Sequence, residues 1–396
     1  MRPATSSGTI QTGLRGCLPW LLVLVQALLA VRSWWHYRSW PQLVDTAPLP
    51  AQQPTELRRS ARVDEPEPLS VAIIVPARDE AANLLRLLPS LLCLEPPPSE
   101  IVVVDDRSTD QTAAIAAGFG VRVEATTEPP AGWSGKNWAC MLGADRTTAS
   151  WLLFADADTW QAPGSLAAAL AQAHAHDADM LSVFPRQQCR WLWERLLLPF
   201  AFAQYLAAIS PAWANDDAAS SAVANGQYLL IRRDLYRWIG GHGAVRASLG
   251  EDVALARLVR RAGGRVRLYR ADQLVRVRMY RDLGGLRTGF RKFMVGYLVA
   301  HPLHGLVIVA STALAGLPLI RLIEWARGRC SWQLAATSWL VGVSALLPWS
   351  RWFGAGRWTA LLQPVAYGGF QLVALDAALR WLLGVRVTWK GRDYRV

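Results

Sequence analysis

The 396-residue sequence lacks the cysteine and histidine spacings that mark common metal and disulfide sites. Its five cysteines are scattered without a CxxC pair, and its six histidines form no HxxxH pair. These absences indicate neither a zinc site nor a disulfide framework. The first predicted strand is followed by neither a glycine-rich phosphate loop nor a nucleophilic aspartate, which argues against a nucleotidyltransferase or a phosphatase.

Lysine is scarce in this chain. Only Lys136, Lys292 and Lys390 occur, so arginine supplies nearly all of the net charge of +12. Half of the residues are hydrophobic, and twenty are tryptophan. A basic balance beside apolar runs favours contact with anionic lipid headgroups. Because no nucleic-acid-binding motif is present, nucleic acid is not a predicted partner.

Long uncharged stretches at both ends of the chain predict membrane helices. Residues 16–31 carry no charge, and Trp34 and Trp35 follow at the expected membrane interface. A cleaved signal peptide is the competing interpretation. Further uncharged stretches favour an uncleaved anchor, and they cover residues 293–320, 330–350 and 358–375.

These stretches divide the chain into four predicted parts. Residues 1–40 form an N-terminal membrane anchor, and residues 41–68, which are rich in proline, glutamine and arginine, form a linker. Residues 69–292 form the central domain, and residues 293–396 form C-terminal membrane helices.

The arginine distribution predicts how the chain is oriented in the membrane. Arg58, Arg59 and Arg62 favour a cytoplasmic location for the segment after the anchor. Three C-terminal spans would then place the C-terminus outside, but Arg386, Lys390, Arg392 and Arg395 favour the inside. One C-terminal segment could therefore be interfacial or re-entrant. We expect a multi-pass protein of the cytoplasmic membrane with its central domain in the cytoplasm.

The central domain alternates apolar runs with helical patterns. Strands are predicted at Leu69–Pro76, at Ile101–Val104 and over the four apolar residues Trp151–Phe154, and a leucine stripe predicts a helix after the first strand. A strand–helix–strand order favours a parallel sheet with crossover helices. The predicted fold class is therefore α/β, with a mostly parallel sheet, flanking helices and membrane helices at both ends.

Acidic residues follow three of the predicted strands. They are Asp79 and Glu80 after the first, Asp105 and Asp106 after the second, and Asp156 and Asp158 after the third. Ligands of parallel sheets bind beyond the carboxyl ends of the strands. Positions i and i+2 of an extended segment point the same way, so Asp156 and Asp158 are predicted to hold Mg²⁺ or Mn²⁺ together with substrate phosphates.

Two further motifs complete the set. Lys136 lies in the loop EPPAGWSGKN ahead of an alanine-rich helix, and Glu251 and Asp252 begin a predicted helix. By itself, the Glu251–Asp252 pair has a structural explanation, because a helix N-terminus stabilises negative charge.

The order of these motifs resembles the family 2 glycosyltransferases, which have the A-type nucleotide-sugar fold (GT-A). The resemblance covers about residues 69–292. The stretches PPAGWSGKNWAC, LLFADADT and GEDVALARLVRRAGG are similar to membrane-bound carotenoid glycosyltransferases within that family. Hopanoid-associated members are similar but less close.

The resemblance implies a nucleotide-diphosphate sugar as donor, with a UDP-sugar as the first expectation. The implied donor-binding residues are Pro76, Asp79, Glu80, Asp105, Asp106, Lys136 and Asp156.

The resemblance also implies the chemistry. Asp252 would be the general base with Glu251 beside it, and Asp156 and Asp158 would bind the metal, Mg²⁺ or Mn²⁺. One base opposite the leaving group implies a single displacement with inversion, because retention requires a second covalent step.

One departure from the family concerns processivity. Polysaccharide synthases carry a Gln-x-x-Arg-Trp motif before their last membrane helices, whereas Arg276 in Gln273–Arg276 is followed by Val277. We therefore expect a non-processive enzyme that acts on a membrane lipid hydroxyl, of a carotenoid or a similar lipid. A processive polysaccharide synthase, a glycosyltransferase for hopanoids or other glycolipids, and an inactive membrane scaffold remain as alternatives.

Overall fold

The computed structural model describes residues 7–45, 70–209, 211–219, 222–248, 250–300, 302–383, 387–389 and 392–394. Most of the predicted linker, including its three arginines, lies outside these residues.

An eight-stranded sheet forms the centre of the fold. Its strands are β1 (Gln42–Leu43), β2 (Val71–Ala77), β3 (Glu100–Asp105), β4 (Arg122–Ala125), β5 (Trp151–Ala155), β7 (Met180–Phe184), β9 (Tyr228–Arg232) and β10 (Val266–Ala271). Their order is β1-β10-β7-β9-β5-β2-β3-β4, and each pairs in parallel except β9. A smaller sheet, in the order β6-β11-β8, consists of β6 (Thr159–Gln161), β8 (Arg186–Gln187) and β11 (Val275–Val277).

The inner strands are buried on both faces, which accounts for their continuous apolar sequences. Ile73, Ile74, Leu152 and Leu153 are all fully buried. Such strands occur where helices cover both sides of a parallel sheet. The predicted α/β fold with a mostly parallel sheet is therefore confirmed.

Helices cover the two faces of the sheet. One face carries α2 (Ala81–Leu92), α3 (Thr112–Gly118) and α5 (Ser165–Ala175). The other carries α4 (Gly135–Asp145), α8 (Arg233–Trp238) and α10 (Glu251–Arg261), with α9 (Gly241–Ala244) beside α4. Leucines 84, 87, 88 and 91 of α2 are fully buried, as a helical stripe that faces a sheet should be.

Two strands differ from expectation. β9 is antiparallel to both of its neighbours, β5 and β7. Gln42 and Leu43, which we predicted as the start of the linker, pair in parallel with β10 at the edge of the sheet. Trp40 is 2% exposed and packs against Phe184 at 5.6 Å between ring centroids, so a buried aromatic contact holds this edge. Apolar periodicity identifies a strand but not its partner or direction.

Most of the remaining helices belong to an apolar group. They are α1 (Ser7–Ser39), α6 (Leu192–Ala208), α7 (Pro211–Ala214), α11 (Leu283–Ala300), α12 (Pro302–Ala315), α13 (Leu317–Ala326), α14 (Trp332–Trp352) and α15 (Gln363–Leu382), with a 3₁₀ segment at Arg357–Leu362. A short hairpin of β12 (Val387–Trp389) and β13 (Arg392–Tyr394) follows.

The predicted span at residues 293–320 is divided among three helices. The predicted domain boundary at residue 292 falls inside α11, α12 begins at Pro302, and Pro318 lies in the first turn of α13. Proline lacks an N–H group and clashes with the preceding turn, so it starts a helix more easily than it continues one. The single-helix prediction was therefore wrong for this segment.

Two helical stretches of the described chain have the length and apolar composition to cross a membrane. They are Leu18–Ser39 and Ile308–Ala326. Only 22% of the most apolar part of the first stretch and 28% of that of the second are buried inside the structure. The core helix of a soluble protein, by contrast, is mostly buried. The predicted spans at residues 330–350 and 358–375 correspond to helical segments but stay predictions as membrane spans.

The N-terminal and C-terminal helices associate through buried polar contacts. Gln26 Nε2 donates to the Ser338 carbonyl at 3.0 Å, and Ser338 Oγ donates back to Gln26 Oε1 at 2.9 Å. Trp349 Nε1 donates to Ser33 Oγ at 2.7 Å. Because these bonds join α1 to α14, both ends of the chain belong to one helical group.

Gly143 lets α4 approach the sheet, and we expect Gly143→Ala to be destabilising. A Cβ at Gly143 would lie 2.5 Å from Ile74 Cγ2 and 3.0 Å from Val104 Cγ2, both fully buried. Overpacking of this kind lowers the free energy of unfolding by about 1–3 kcal/mol. The measurement is the Tm of the full-length protein in detergent.

The matched control is Gly118→Ala, at a position where a Cβ would meet nothing within 4 Å. Its Tm should equal that of the wild type or rise slightly, because alanine favours helix. Equal Tm values for the two variants would contradict the close packing of α4.

Candidate active site

A pocket lies at the carboxyl end of β5 and collects residues from distant parts of the chain. It is lined by Pro76, Lys136, Cys140, Phe154, Asp156, Gly226, Leu229, His242, Glu251 and Asp252. Five of these ten are residues that the sequence motifs single out: Pro76, Lys136, Asp156, Glu251 and Asp252. The fold therefore brings four separate motifs to one place.

Lys136 joins the motifs through two ion pairs. Its Nζ lies 2.7 Å from Asp156 Oδ1 and 2.8 Å from Glu251 Oε1. Although burial opposes the positive charge, the two carboxylates hold the pKa of Lys136 well above its usual value. The lysine therefore stays charged and connects the start of α4 with the end of β5 and the start of α10.

Asn137 fixes the helix start that carries Lys136. The Ser134 hydroxyl caps α4 by accepting from the Asn137 N–H at 3.2 Å. The fully buried Asn137 side chain donates through Nδ2 to the carbonyls of Val245, Arg246 and Ser248 at 2.9–3.1 Å. This clamp ties the loop before Glu251 to α4. Sequence reasoning missed it, although a polar residue in the first turn of an apolar helix was a usable signal.

Asp252 is held in a defined orientation inside the pocket. Its Oδ2 accepts from the Gly226 N–H and its Oδ1 from the Val253 N–H, each at 2.8 Å. Burial, with the neighbouring charge of Glu251, raises the pKa of Asp252 to about 6. A carboxylate with such a pKa accepts a proton more readily than an ordinary aspartate and is still ionised at neutral pH.

Gly226 is a second residue that sequence reasoning missed. A Cβ at this position would lie 3.3 Å from Lys136 Nζ and 3.4 Å from Asp252 Cβ. Because Gly226 has no side chain, the loop before β9 can approach both charged groups. The Gly226 N–H then donates to Asp252.

His242 forms part of the pocket wall. It is 3% exposed, its Nδ1 lies 2.8 Å from the Tyr236 hydroxyl, and its ring packs 4.7 Å from that of Phe154. Burial lowers the pKa of His242 to about 4, so the imidazole is neutral at pH 7. Its contacts support a structural role behind the charged groups.

Asp156 and Asp158 occupy a turn between β5 and β6 and not an extended segment. The Asp156 carbonyl accepts from the Thr159 N–H at 3.1 Å and from its hydroxyl at 2.7 Å. Strand alternation, on which we based their shared direction, therefore does not describe them. Asp156 contacts Lys136, while Asp158 lies near Tyr280, whose pKa is raised by burial and then by this carboxylate.

The carboxylates of this turn could hold a hard divalent cation only together with further ligands from the substrate and from water. Among the residues that the structure describes, no group of three or more His, Cys, Asp or Glu side chains could hold a metal ion alone. Mg²⁺ and Mn²⁺ sites commonly use one or two carboxylates and complete the shell with substrate phosphates and water. Asp156 and Asp158 supply the two carboxylates that such a shared site needs, and their metal-binding role stays a prediction.

The acidic residues after β2 line no part of the pocket and instead organise the loop beside it. Asp79 has φ +52° and accepts from the Thr109 N–H at 2.7 Å, while its own N–H donates to Ser108 Oγ at 2.9 Å. Glu80 Oε2 accepts from Asn83 Nδ2 at 2.5 Å. The two Asp79 bonds join the ends of β2 and β3, and the Glu80 bond lies at the start of α2. The nucleotide-binding role of Asp79 and Glu80 stays a prediction.

Asp105, the last residue of β3, and Asp106, which follows it, are buried at the neighbouring strand end. Asp105 Oδ1 accepts from the Ser108 N–H at 3.3 Å, and Asp106 Oδ1 accepts from Thr126 Oγ1 at 3.1 Å. Both therefore have structural contacts, and their predicted role in holding the base is untested.

Comparisons with known proteins find similar sequences and a similar fold. Residues 72–236 match the family model described as Glycosyl transferase family 2. Two curated relatives are named 4,4'-diaponeurosporenoate glycosyltransferase. The protein from Staphylococcus haemolyticus (strain JCSC1435) is 28% identical over 232 residues, or 58% of this chain, and that from Staphylococcus aureus (strain MRSA252) is 27% identical over 229 residues, or 57%. The matched region spans 60% of the length of each relative.

A solved structure shares the fold over nearly the whole chain. It is a mannosyltransferase from Pyrobaculum calidifontis in complex with GDP-Man and Mn²⁺, with a TM-score of 0.52 and 18% identity. The match covers 93% of this chain and 96% of the mannosyltransferase. The predicted A-type nucleotide-sugar fold is therefore confirmed.

Proposed function

We propose that this chain, which carries a glycosyltransferase family 2 domain at residues 72–236, transfers a hexosyl group from a nucleotide-diphosphate sugar to a lipid hydroxyl. The observation that carries the proposal is the pocket at the end of β5. There, Lys136, Asp156 and Glu251 form one ion-paired group with Asp252 alongside. A nucleotide-sugar donor is supported by the domain and by the GDP-Man bound to the structural neighbour.

The leaving diphosphate gains negative charge as the sugar departs. A divalent cation, Mg²⁺ or Mn²⁺, held by Asp156 and Asp158 through the diphosphate, would neutralise that charge. The Mn²⁺ in the structural neighbour supports a divalent cation. Lys136 holds Asp156 in place by its ion pair and adds a fixed positive charge beside the turn.

Asp252 takes the proton from the acceptor hydroxyl in this proposal. The hydroxyl is a poor nucleophile until a base removes its proton, and the Gly226 and Val253 N–H groups hold the carboxylate for that task. With one base and one displacement, the anomeric carbon inverts. Glu251 is paired with Lys136 and keeps the base next to the turn.

Exposed apolar surface on α1 supports attachment to the membrane. Leu21, Leu24, Leu28 and Val31 are each more than half exposed and recur at helical spacing. A contiguous apolar stripe of this size on a helix marks contact with a membrane or a partner. With the apolar stretch Ile308–Ala326, it supports our proposal of a multi-pass protein of the cytoplasmic membrane with its catalytic domain on the cytoplasmic side.

The membrane contact and the names of the relatives support a carotenoid or similar lipid as acceptor. The segment Gln273–Arg276, which departs from the processive synthase motif, runs into β11 of the small sheet. That placement favours a non-processive transferase over a polysaccharide synthase.

The test uses the full-length protein, because the terminal helices pack against the catalytic domain. Purified protein in detergent is given UDP-sugars or GDP-sugars with Mn²⁺ or Mg²⁺, and each reaction contains either a carotenoid alcohol or a free sugar as acceptor. We expect glycosylated carotenoid by mass spectrometry, with stoichiometric release of nucleoside diphosphate.

The matched control is the same carotenoid with its hydroxyl methylated, which should accept no sugar. Efficient transfer to free sugars without transfer to the carotenoid alcohol would contradict the lipid acceptor. No transfer from any donor would contradict the proposed activity itself.

A further inference from the structure

A second cavity lies inside the apolar helical group and shares no residue with the active-site pocket. Its walls come from α1, α6, α12 and α14 and from the start of α15. Along α1, the lining residues Gln26, Leu29 and Ser33 recur at helical spacing, so one face of this helix is turned to it. The empty space inside it, together with its open side, is about 750 Å³, a size typical of ligand sites. We call it the helix cavity.

The walls of the helix cavity are mostly apolar. Leu29, Phe200 and Leu314 supply the larger surfaces. Ala203 and Gly342, which have little or no side chain, leave room between the helices. Since the helices around it belong to the part of the chain that we place in the bilayer, this lining suits a hydrocarbon chain.

Arg32 adds a positive charge to the lining of the helix cavity. Its side chain is exposed, its Nε donates to His36 Nε2 at 3.4 Å, and no carboxylate of the described residues forms an ion pair with it. Trp35, which is 53% exposed, follows one turn later and marks the expected surface of the bilayer. A cation between membrane helices at that depth meets the phosphates of lipid head groups.

Gln363 adds a buried hydrogen-bond acceptor. It is 2% exposed, and its Nε2 donates to the Ala315 carbonyl at 2.7 Å, but its Oε1 has no hydrogen-bond partner among the residues that the structure describes. A Cβ at Gly342 would lie 3.2 Å from this oxygen, and both residues line the helix cavity. A buried acceptor destabilises a fold unless a donor reaches it, so this oxygen calls for a hydroxyl inside the cavity.

Arg32 and Gln363 stand at nearly the same depth in the helical group. Three hydrogen bonds join residues of α1 to residues 312 positions later on α14. Arg32 is therefore level with Ser344, and Gly342, beside Gln363 Oε1, lies only about 3 Å further along α14. One polar head group could contact both the guanidinium and the amide oxygen.

We propose that the helix cavity binds one anionic phospholipid whose head group carries a hydroxyl. The phosphate lies at Arg32, whose guanidinium donors match its oxygens, and the hydroxyl donates to Gln363 Oε1. One acyl chain follows the apolar walls. This inference rests on the proposed membrane attachment and not on sugar transfer, and the bound lipid is a component of the bilayer and not the sugar acceptor.

The test measures lipid binding to the full-length protein in detergent by native mass spectrometry, without donor or acceptor. The probes are the dioleoyl forms of phosphatidylglycerol, phosphatidylmethanol and phosphatidylcholine, which share their acyl chains. The first has a net negative charge and hydroxyls, the second keeps the charge without a hydroxyl, and the third has no net charge. We expect one phosphatidylglycerol to bind about tenfold or more tighter than phosphatidylcholine, with phosphatidylmethanol between them.

Three variants separate the contacts. Arg32→Gln should bring the affinities for both anionic lipids close to that for phosphatidylcholine, whereas Arg32→Lys should keep part of the preference. Gln363→Met should remove only the preference for phosphatidylglycerol over phosphatidylmethanol. Ala203→Leu narrows the cavity and should weaken binding of all three lipids. The matched control is Arg351→Gln, an exposed arginine in the last turn of α14 that does not line the cavity, and it should change no affinity by more than about twofold.

Several results would overturn the inference. Similar affinities of the wild type for all three lipids would show that the head group is not recognised. Unchanged binding in Ala203→Leu would place the lipids on the outer surface of the helices. An effect of Arg32→Gln no larger than that of Arg351→Gln would remove the phosphate contact, and equal weakening of all probes by Gln363→Met would make Gln363 structural.

The Tm of each variant in detergent shows whether it is folded, and Ala315→Leu replaces Ala203→Leu if that variant is not. Because no sugar is transferred in this measurement, its outcome is separate from success or failure of the proposed activity.

Discussion

Replacing Asp252 by asparagine is expected to lower kcat by 10²–10⁴-fold, on the order found when a general base is removed. Asparagine keeps the size and can still accept from the Gly226 N–H, but it cannot take a proton. Donor binding should therefore survive, and the loss should appear in kcat and not in the KM for the donor. The measurement is initial rate against donor concentration with a lipid alcohol acceptor.

The dependence of wild-type activity on pH provides a second test of the role of Asp252. Burial, and then Glu251, raise the pKa of Asp252 to about 6. The base must be ionised to act, and a raised pKa means that it becomes protonated as the pH falls through about 6. Activity should therefore rise through this range and level off above about pH 7, and the residual activity of Asp252→Asn should lack this limb.

The matched control is Asp177→Asn, an exposed carboxylate paired only with Arg265 in the described part of the chain. It should behave as wild type. A near-normal rate in Asp252→Asn would move the base to another carboxylate, and Glu251 would then be tested by the same substitution to glutamine.

Asp158→Ala should reduce turnover below about 1% of wild type, because a cation that stabilises the leaving diphosphate contributes several kcal/mol to the transition state. Asp158 is a cleaner probe than Asp156, since alanine at Asp156 would also leave Lys136 with one ion pair fewer. EDTA should likewise abolish the activity of the wild type, and Mn²⁺ or Mg²⁺ should restore it.

The control for this loss is Asp145→Ala, an exposed aspartate at the end of α4. Both variants should keep the Tm of the wild type, so that loss of turnover reports the site and not unfolding. Full activity of the wild type in EDTA, with no metal added, would rule out the metal role of the turn.

The sequence by itself determined the local elements and the motif residues. Val71–Val75, Ile101–Val104 and Trp151–Phe154 are apolar at every position, and a bounded run of that length is typical of a strand buried on both faces. The acidic pairs after those runs were recognisable for the same local reason. The resemblance that they carry was confirmed over residues 72–236.

Local sequence patterns gave the wrong prediction where the pairing of a strand or an interruption of a helix decided the structure. Gln42 and Leu43 have the composition of a linker, yet they form an edge strand because Trp40 has a buried site beside Phe184. The uncharged segment 293–320 is typical of one membrane-spanning helix, but new helices begin at or next to prolines within it. Hydrophobicity measures transfer from water and does not report where the backbone can continue a helix.

Only the tertiary structure decided how the motifs meet. Lys136, Asp156 and Glu251 are separated by 20 to 115 positions in the chain, yet they share two ion pairs shorter than 3 Å. Arg281 Nη2 donates to Asn83 Oδ1, although the two residues are almost two hundred positions apart. Secondary structure depends on neighbours in the sequence, so periodicity reveals it. Charge pairing and a raised pKa depend on neighbours in space. The crossover connections of the sheet determine which residues become such neighbours.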